Sequence, residues 1–275
     1  MTVWLNSGLV DDAHATVSVF DRGLTVGDGV FETLKVVEGQ PFAVTRHLRR
    51  LSISARGLGL DAPDLDLIRK AITDVVAANA KSLGPFARMR ITYTAGPSLF
   101  GSSRGDGPPT LVVAVSPSVP WPSTTAIATV LWRRNEHSAV AGLKTTAYAD
   151  NIVALARANE VGASEAILAN TAGDVCEGTG SNIFVLRDGI ATTPPLSGGA
   201  LPGITRELVL EWTDAIEGVL TFADLNAVDE VFLTSSTRDV HPVHSVDGRS
   251  LVAPGPVTSL IAGVFELRSR AELDP

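Results

Sequence analysis

One lysine, Lys144, is the chain's best candidate for chemistry that uses an amino group. The sequence has 22 lysine and arginine residues, and only four of these are lysines. A lysine forms a Schiff base through its unprotonated amine, which burial or positive neighbours favour by lowering its pKa. Lys70 and Lys81 fall on the expected solvent face of an amphipathic pattern, Asp64–Leu83, and Lys35 falls in an extended run. Lys144 follows a Gly-Leu pair and precedes small residues, which favours a confined site over an ordinary surface position.

Two segments and one arginine have the residue types of an anion site. At Leu201–Thr205, the first N–H groups of a predicted helix and the Thr205 hydroxyl would meet an anion at the positive end of the helix dipole. Four hydroxyl residues, 234–237, follow a predicted strand. Arg50 has the planar fork of donors that suits a phosphate. Taken singly, these features are more often a helix cap or a surface arginine.

A carboxylate, Glu177, lies in the glycine-rich run Cys176–Asn182. It could hold a proton on a ring nitrogen, or it could be a solvated loop residue. A lysine, an acid and a phosphate site together are what pyridoxal phosphate requires. In that chemistry the lysine also moves the substrate α-proton, and the acid keeps the ring nitrogen protonated so that the ring can accept electrons. The spacing makes these parts compatible without proving the assignment.

The elements of the first half are predicted from periodicity and turn residues. A glycine-flanked bend at residues 27–29 leads into a strand, Val30–Val37, on which Phe31, Thr33 and Lys35 share one face and Glu32 lies on the other. Thr45 is expected to cap a helix that ends near Gly57 or Gly59. The remaining predicted elements are a helix at 64–83, strands at 86–94 and 110–116, and between these strands a long loop, 95–109, typical of a lid or pocket wall.

Three prolines within Ser116–Ser123 mark the best domain boundary. We therefore predict a small N-terminal α/β domain at 1–118, a linker at 119–123 and a larger C-terminal α/β domain at 124–275 that carries Lys144. Strands and helices mix in both halves without a simple βαβ repeat. The predicted fold class is accordingly α/β in the broad sense (α+β), with two lobes. The second half is predicted to contain strands at 126–131, 166–169, 181–186 and 230–234 and helices at 148–161, 203–216 and 256–271.

Composition excludes several function classes. The net charge is −8 and basic residues form no run, which argues against nucleic acid as a partner. The single cysteine, Cys176, allows no intrachain disulfide. No apolar run approaches the roughly 20 residues that span a bilayer, and acidic residues stand where a signal peptide would be apolar. We expect a cytoplasmic protein that binds neither membrane nor metal.

Several ordered motifs together resemble the class IV pyridoxal-phosphate aminotransferases, which have fold type IV. This family includes D-amino acid, branched-chain and (R)-amine transaminases and the aminodeoxychorismate lyases, and the chain looks closest to the D-amino acid enzymes. The resemblance extends from residue 21 to Pro242. Its motifs are Gly27–Thr33, His47–Leu51, Lys144, Glu177–Phe184, Gly203–Arg206 and Thr234–Ser236.

The resemblance implies a role for each matching residue. Lys144 would carry the cofactor as a Schiff base, and Glu177 would meet the pyridine nitrogen. The residues implied near the phosphate are Arg50, Ile204, Thr205 and Ser236, with Thr237 helping. The residues implied near the ring are Leu201, Tyr148 and Asn182. The family is homodimeric, holds its cofactor between the two lobes and closes the site with loops of the neighbouring subunit.

The substrate pocket departs from the family patterns. Phe31 stands where the D-amino acid enzymes have a tyrosine, and Ala95–Pro109 contains Arg104 but not their Arg-x-His pair for the α-carboxylate. The residues that could take over substrate binding are Phe31, Thr33, Lys35, Arg88, Arg90, Arg104 and Arg238, although Arg90 or Arg238 could instead pair structurally with carboxylates.

We expect transamination of a D-amino acid, with side activity on (R)-primary amines, to a 2-oxo acid such as 2-oxoglutarate or pyruvate by a ping-pong mechanism. The open alternatives are an aminodeoxychorismate lyase, which eliminates pyruvate to give 4-aminobenzoate, a branched-chain L-amino acid aminotransferase, and an inactive binding module of the same fold. The presence of both Lys144 and Glu177 argues against the inactive module.

Overall fold

The computed structural model describes residues 1–275, apart from the side chain of Arg187. The chain divides into two compact units. The first unit consists of Met1–Pro120, Leu143–Tyr148 and Leu273–Pro275, and the second of Trp121–Gly142 and Ala149–Glu272. Both units mix strands and helices, in agreement with the predicted fold class.

An antiparallel sheet is the frame of the first unit. Its strands are β1 (Thr2–Leu5), β2 (Gly8–Asp11), β3 (Gly29–Val37), β4 (Gln40–Pro41), β5 (Phe86–Thr94) and β6 (Thr110–Pro117). They lie in the order β2-β1-β6-β5-β3-β4. Strand β3 pairs with β5 along its whole length. This pair positions Phe31 and Glu32 on one strand and Arg90 on the next, and Arg90 lies opposite Thr33.

Three helices accompany this sheet: α1 (Arg22–Thr25), α2 (Val44–Leu58) and α3 (Leu65–Asn79). Helix α2 buries Leu48 and Leu51 against the sheet, and α3 buries Ile68 and Val75 in the same core. The two residues of each helix are three and seven positions apart, so each pair lies on one helix face. Helix α2 also buries a polar set, His47, Arg50 and Ser54, which bears on the candidate site.

The start of α2 corrects one sequence prediction, because Thr45 does not cap this helix. The N-cap position is Ala43, which has a left-handed backbone and makes no side-chain cap. Thr45 lies in the first turn, where its N–H and its hydroxyl donate to Asp274 at 2.7 and 2.5 Å. A carboxylate from a residue 229 positions away thus accepts hydrogen bonds at the positive, N-terminal end of the helix.

The second unit is built on one mixed sheet. Its strands are β7 (Thr125–Arg134), β8 (Glu165–Asn170), β9 (Val175–Gly178), β10 (Asn182–Arg187), β11 (Ile190–Thr193), β12 (Ile216–Glu217), β13 (Val231–Ser235), β14 (Asp239–Val246) and β15 (Arg249–Ser250). The order is β12-β11-β10-β13-β14-β7-β8-β9, with β15 on β14. Its helices are α4 (Ala149–Glu160), α5 (Ile204–Trp212), α6 (Phe222–Ala227) and α7 (Pro256–Ala271). Phe184 and Phe232 stack in the interior with ring centroids 4.7 Å apart.

The segment with Lys144 packs with the first unit, whereas the sequence places this lysine in the C-terminal domain. The reason is backbone pairing: Thr145 forms an antiparallel bridge with Val30 at the start of β3. Among the described residues, no helix combines the length and the apolar character needed to cross a membrane.

Candidate functional site

Lys144 is held by its backbone on both sides. Its N–H donates to Ser54 Oγ on α2 at 3.1 Å. Its carbonyl oxygen accepts the N–H of Phe31 on β3 at 2.9 Å. Two residues further on, the N–H of Thr146 donates to the Gly29 carbonyl at 2.8 Å. The lysine therefore lies on an irregular segment whose course is fixed by a helix and a strand of the same unit.

The Phe31 ring is the common neighbour of three candidate side chains. Lys144 Nζ lies 4.5 Å from its centroid, and Arg90 Cζ lies 3.6 Å from it. The ring of Tyr148 meets it edge-on, with centroids 5.5 Å apart. Cation–π attraction favours a guanidinium or an ammonium at such a ring. The structure thus brings four of the predicted site residues together in the first unit.

Arg50 belongs to a buried ionic cluster that the sequence analysis missed. Its Nε and one terminal nitrogen donate to the two oxygens of Glu32 at 2.8 and 2.7 Å. His47 Nδ1 lies 2.6 Å from the same carboxylate. Glu32 and His47 are 0% and 1% exposed. The available signal was an acidic residue, Glu32, on the same strand face as the apolar Leu34 and Val36, together with a histidine and an arginine three apart on one helix.

The charges of this cluster fix its protonation states. Burial raises the pKa of the Glu32 carboxyl, but Arg50 and His47 outweigh burial and lower that pKa from 4.5 to about 2. Burial lowers the pKa of His47 below its usual 6.5, so its ring is neutral near pH 7. A neutral ring beside a carboxylate donates its Nδ1 proton to it. Glu32 consequently holds the charged, planar guanidinium of Arg50 in one orientation.

Arg104, a substrate candidate from the long loop, is engaged with the glycine-flanked bend. It donates to both oxygens of Asp28 at 2.8 and 2.6 Å and to the Leu58 carbonyl at 2.8 Å. Arg22 donates to the same carboxylate at 2.9 Å. The hydrogen bond from Arg104 lowers the pKa of Asp28 below its usual 3.8 despite partial burial. Arg104 therefore ties the loop to the bend and to the end of α2.

The other first-unit candidates differ in their exposure to solvent. Lys35 is buried, and its Nζ lies 4.6 Å from the centroid of the Phe42 ring. Thr33 is half-buried on β3. Arg88 and Arg90 are both exposed on β5.

Glu177 in the second unit is held by a basic side chain and a backbone donor. Arg134 Nε lies 3.0 Å from Glu177 Oε1, and the N–H of Leu201 donates to Oε2 at 2.9 Å. Glu177 is buried. Sequence reasoning missed Arg134, whose partner is distant along the chain. Arg134 and the Leu201 N–H therefore fix the orientation of the Glu177 carboxylate.

The start of α5 fits an anion. Gly203 occupies the N-cap without a side-chain cap, and Ile204 and Thr205 are each 3% exposed. Among the described residues, the N–H groups of Ile204 and Thr205 find no acceptor. Asn182 borders this turn, and its amide donates to the Leu201 carbonyl at 2.9 Å. A buried helix start with unmatched donors is suited to a phosphate group.

The hydroxyl segment at the end of β13 lies beside a buried arginine, Arg238. Thr237 accepts a hydrogen bond from the Trp121 indole at 3.4 Å, and Ser236 is half-buried. Arg238 stacks on the Trp121 ring at 3.6 Å and donates to His241 Nδ1 at 2.9 Å. Burial and Arg238 lower the pKa of His241 to about 4, so its ring accepts this bond as the neutral form.

Comparisons with known proteins identify the family. The family model for amino-transferase class IV matches residues 29–246. A Methanocaldococcus jannaschii protein, provisionally named a branched-chain-amino-acid aminotransferase, is 36% identical over 90% of this chain and 89% of its own. The D-alanine aminotransferase of Bacillus licheniformis is 30% identical over 94% of this chain and 93% of its own.

A solved structure agrees in fold. The branched-chain aminotransferase of Thermoproteus uzoniensis superposes with a TM-score of 0.89 at 33% identity, over 97% of this chain and 93% of that one. Class IV aminotransferases use pyridoxal phosphate and act on an amino donor and a keto acid acceptor. The chain belongs to the class IV aminotransferases and is a pyridoxal-phosphate-dependent enzyme.

Proposed function

We propose that this aminotransferase transfers the amino group of a D-amino acid to a 2-oxo acid, with Lys144 as its catalytic residue. The observation that carries the proposal is the pair of cations at the Phe31 ring, Lys144 Nζ at 4.5 Å and Arg90 Cζ at 3.6 Å. An amine that handles protons and a guanidinium that binds a carboxylate are the two groups that an amino acid substrate needs.

The residues present fit pyridoxal phosphate. Arg50 and the unmatched N–H groups of Ile204 and Thr205 suit its phosphate, with Ser236 and Thr237 as further hydroxyl donors. Glu177, oriented by its contact with Arg134, suits its protonated ring nitrogen. When bound, the cofactor supplies a ring that accepts the electrons left by the departing α-proton. The proposed neighbours of the ring are Leu201, Asn182 and Tyr148.

Lys144 does the proton chemistry in this account. Its Nζ would hold the cofactor aldehyde in the resting enzyme. Once the substrate amino group had taken its place, the free amine would act as the base that moves the substrate α-proton. Phe31 supports this role because its ring lies against Nζ, 4.5 Å from Nζ to the ring centroid, and helps to set the position of the amine.

We propose that Arg90 binds the α-carboxylate of the substrate. Among the described residues, no carboxylate lies within ion-pair distance of its guanidinium. The other arginines considered for this role have side-chain partners, since Arg104 binds Asp28 and Arg238 binds His241. Because the Arg90 guanidinium at the Phe31 ring can bind a carboxylate, it favours amino acids over (R)-primary amines that lack a carboxylate.

The choice between donor classes draws on the relatives. The Bacillus licheniformis enzyme is named for D-alanine, which supports a D-amino acid donor. A branched-chain L-amino acid is the second candidate, favoured by the Thermoproteus uzoniensis enzyme and by Phe31, which lacks the tyrosine hydroxyl of the D-specific pattern.

A donor panel separates these candidates. Purified protein loaded with pyridoxal phosphate is mixed in turn with D-alanine, D-glutamate, L-leucine and (R)-1-phenylethylamine, with 2-oxoglutarate or pyruvate as acceptor. Loss of the visible absorption band and formation of a new amino acid with a D-donor support the proposal. Reaction with L-leucine alone makes the enzyme a branched-chain aminotransferase. Reaction with none, and release of pyruvate from aminodeoxychorismate, makes it the lyase.

We also propose that the enzyme is a homodimer. Each unit exposes large apolar side chains, including Leu99 and Phe100 in the first (81% and 78% exposed) and Leu131 in the second (91%). Such residues favour burial against another protein surface. Analytical ultracentrifugation should give twice the chain mass, and Leu131→Asp should shift the protein toward monomer. A monomeric wild-type protein would refute the dimer.

A further inference from the structure

We propose that Ser54 is a positioning residue, which holds Lys144 at a set place relative to Arg50. This inference rests on the proposed role of Lys144. Ser54 is 1% exposed, and its Oγ accepts the backbone N–H of Lys144 at 3.1 Å. The resemblance to known enzymes assigned Ser54 no role.

One face of helix α2 contacts both the Glu32 carboxylate and the segment that carries the lysine. His47, Arg50, Ser54 and Gly57 follow each other at spacings of three or four residues, so they share that face. The first two bind Glu32. Gly57 packs so closely on the Leu143 side chain that a Cβ there would come within 2.7 Å of it. The helix thus contacts the lysine segment at two successive positions.

Ser54 and Arg50 lie four residues apart, which is about 6 Å along a helix axis. Because a helix is rigid over one turn, the backbone of Lys144 is held at a fixed spacing from Arg50. The Arg50 fork is itself fixed by the Glu32 carboxylate. A single element therefore sets the distance between the amine that reacts and the arginine proposed for the phosphate.

Strand β3 and the bend before it restrain the other side of the segment that carries Lys144. Phe31 N–H donates to the Lys144 carbonyl at 2.9 Å, and Thr146 Oγ1 donates to the Gly27 carbonyl at 3.0 Å. Both backbone polar groups of Lys144 are thereby bonded within this unit. Removing the Ser54 hydroxyl leaves the N–H of Lys144 without its acceptor in a partly buried place, and the segment can shift to find another.

The test compares Ser54→Ala with Ser52→Ala, a matched change on the same helix at a half-buried serine. Alanine has the higher helix propensity, so both variants are expected to fold. For Ser54→Ala we expect kcat to fall about ten- to hundredfold, as displaced catalytic groups cause, while KM stays within about twofold. The pH titration midpoint of the cofactor's visible band should also shift, whereas Ser52→Ala should match the wild type.

A second variant, Thr146→Val, removes a hydroxyl at nearly constant shape and should lower kcat in the same way. A merely structural role for Ser54 would lower the melting temperature and leave both kcat and the band titration unchanged, and that result overturns the proposal. Lys144→Ala keeps the two inferences separate. If Lys144→Ala abolishes turnover and Ser54→Ala does not reduce it, only the positioning role fails; if Lys144→Ala remains active, the proposed function itself fails.

Discussion

At the scale of single residues, the first unit holds two arginines in different surroundings. Arg50 is locked by Glu32 through two hydrogen bonds of 2.8 and 2.7 Å. Arg90 is exposed, and its guanidinium rests on the Phe31 ring. Burial and pairing therefore separate an arginine suited to a permanently bound cofactor from one suited to a substrate that comes and goes.

Arg90→Ala should raise the KM for the amino acid donor about ten- to hundredfold, because an ion pair with the carboxylate is lost. Turnover of (R)-1-phenylethylamine, which has no carboxylate, should change little. Steady-state kinetics with both donors measures the difference, and Arg88→Ala, two positions along β5, is the matched control. Equal losses with both donors, or an Arg88→Ala variant that behaves like Arg90→Ala, would rule out Arg90 as the carboxylate reader.

Glu32→Gln should destabilise the fold by about 3 kcal/mol, because it leaves the buried Arg50 without its counter-charge. The effect depends on pH in a defined direction. The folded-state pKa of Glu32 is lowered from 4.5 to about 2, so its contribution is complete above pH 4.5 and is lost as the pH falls toward 2.

Thermal unfolding of Glu32→Gln and wild type should therefore differ most above pH 4.5 and converge below it. Glu38→Gln, at an exposed position of the same hairpin, is the control. A difference between Glu32→Gln and wild type that grows as the pH falls would contradict the assigned charge.

At the scale of elements, the start of α5 is sensitive to any side chain at its N-cap. A Cβ at Gly203 would overlap Asn182 Oδ1 and displace the turn that presents the N–H groups of Ile204 and Thr205. Gly203→Ala should weaken the binding of pyridoxal phosphate on the order of tenfold, the effect of losing about one hydrogen bond. Equilibrium dialysis measures this.

Gly263→Ala, in the exposed face of α7 where a Cβ meets nothing within 4 Å, should leave cofactor affinity unchanged. It should stabilise the fold by about 0.5–1 kcal/mol, since alanine favours the helix. Undiminished affinity in Gly203→Ala would show that α5 does not bind the phosphate.

Asp28 joins the loop after β5 to the bend before β3. Asp28→Asn should release Arg104 and Arg22, so trypsin should cleave after Arg104 about tenfold faster, as local opening becomes easier. Asp106→Asn, an exposed change in the same loop, is the control. Unchanged cleavage of Asp28→Asn would show that the loop is held by other contacts.

The sequence predicted the elements with strong local signals and missed those set by distant partners. The helix 256–271 and the strand 86–94 agree with α7 and β5 because each has a proline or turn boundary and a clear periodicity. Strand β14 was not predicted, since Pro242 and two histidines mask its pattern. Helix 64–83 proved shorter, Leu65–Asn79, with Asp64 as its cap.

At the scale of the whole molecule, residues far apart in sequence form contacts that hold the start of helix α2. Asp274 binds Thr45, and the Pro275 carbonyl accepts a hydrogen bond from Arg46 at 2.8 Å. Local patterns contain no information on such pairs, which is why the role of Asp274 at the start of α2 was not foreseen. The motifs that resemble known enzymes did point to Lys144, Arg50 and Glu177, whose roles remain predictions.

The most direct test of the account is to find which lysine carries the cofactor. Protein loaded with pyridoxal phosphate is treated with borohydride, which reduces the C=N bond to a stable C–N bond, and its peptides are examined by mass spectrometry. The account predicts a pyridoxyl group on Lys144 and its loss in the Lys144→Ala variant. A pyridoxyl group on Lys35, Lys70 or Lys81, with Lys144 unmodified in the wild type, would contradict it.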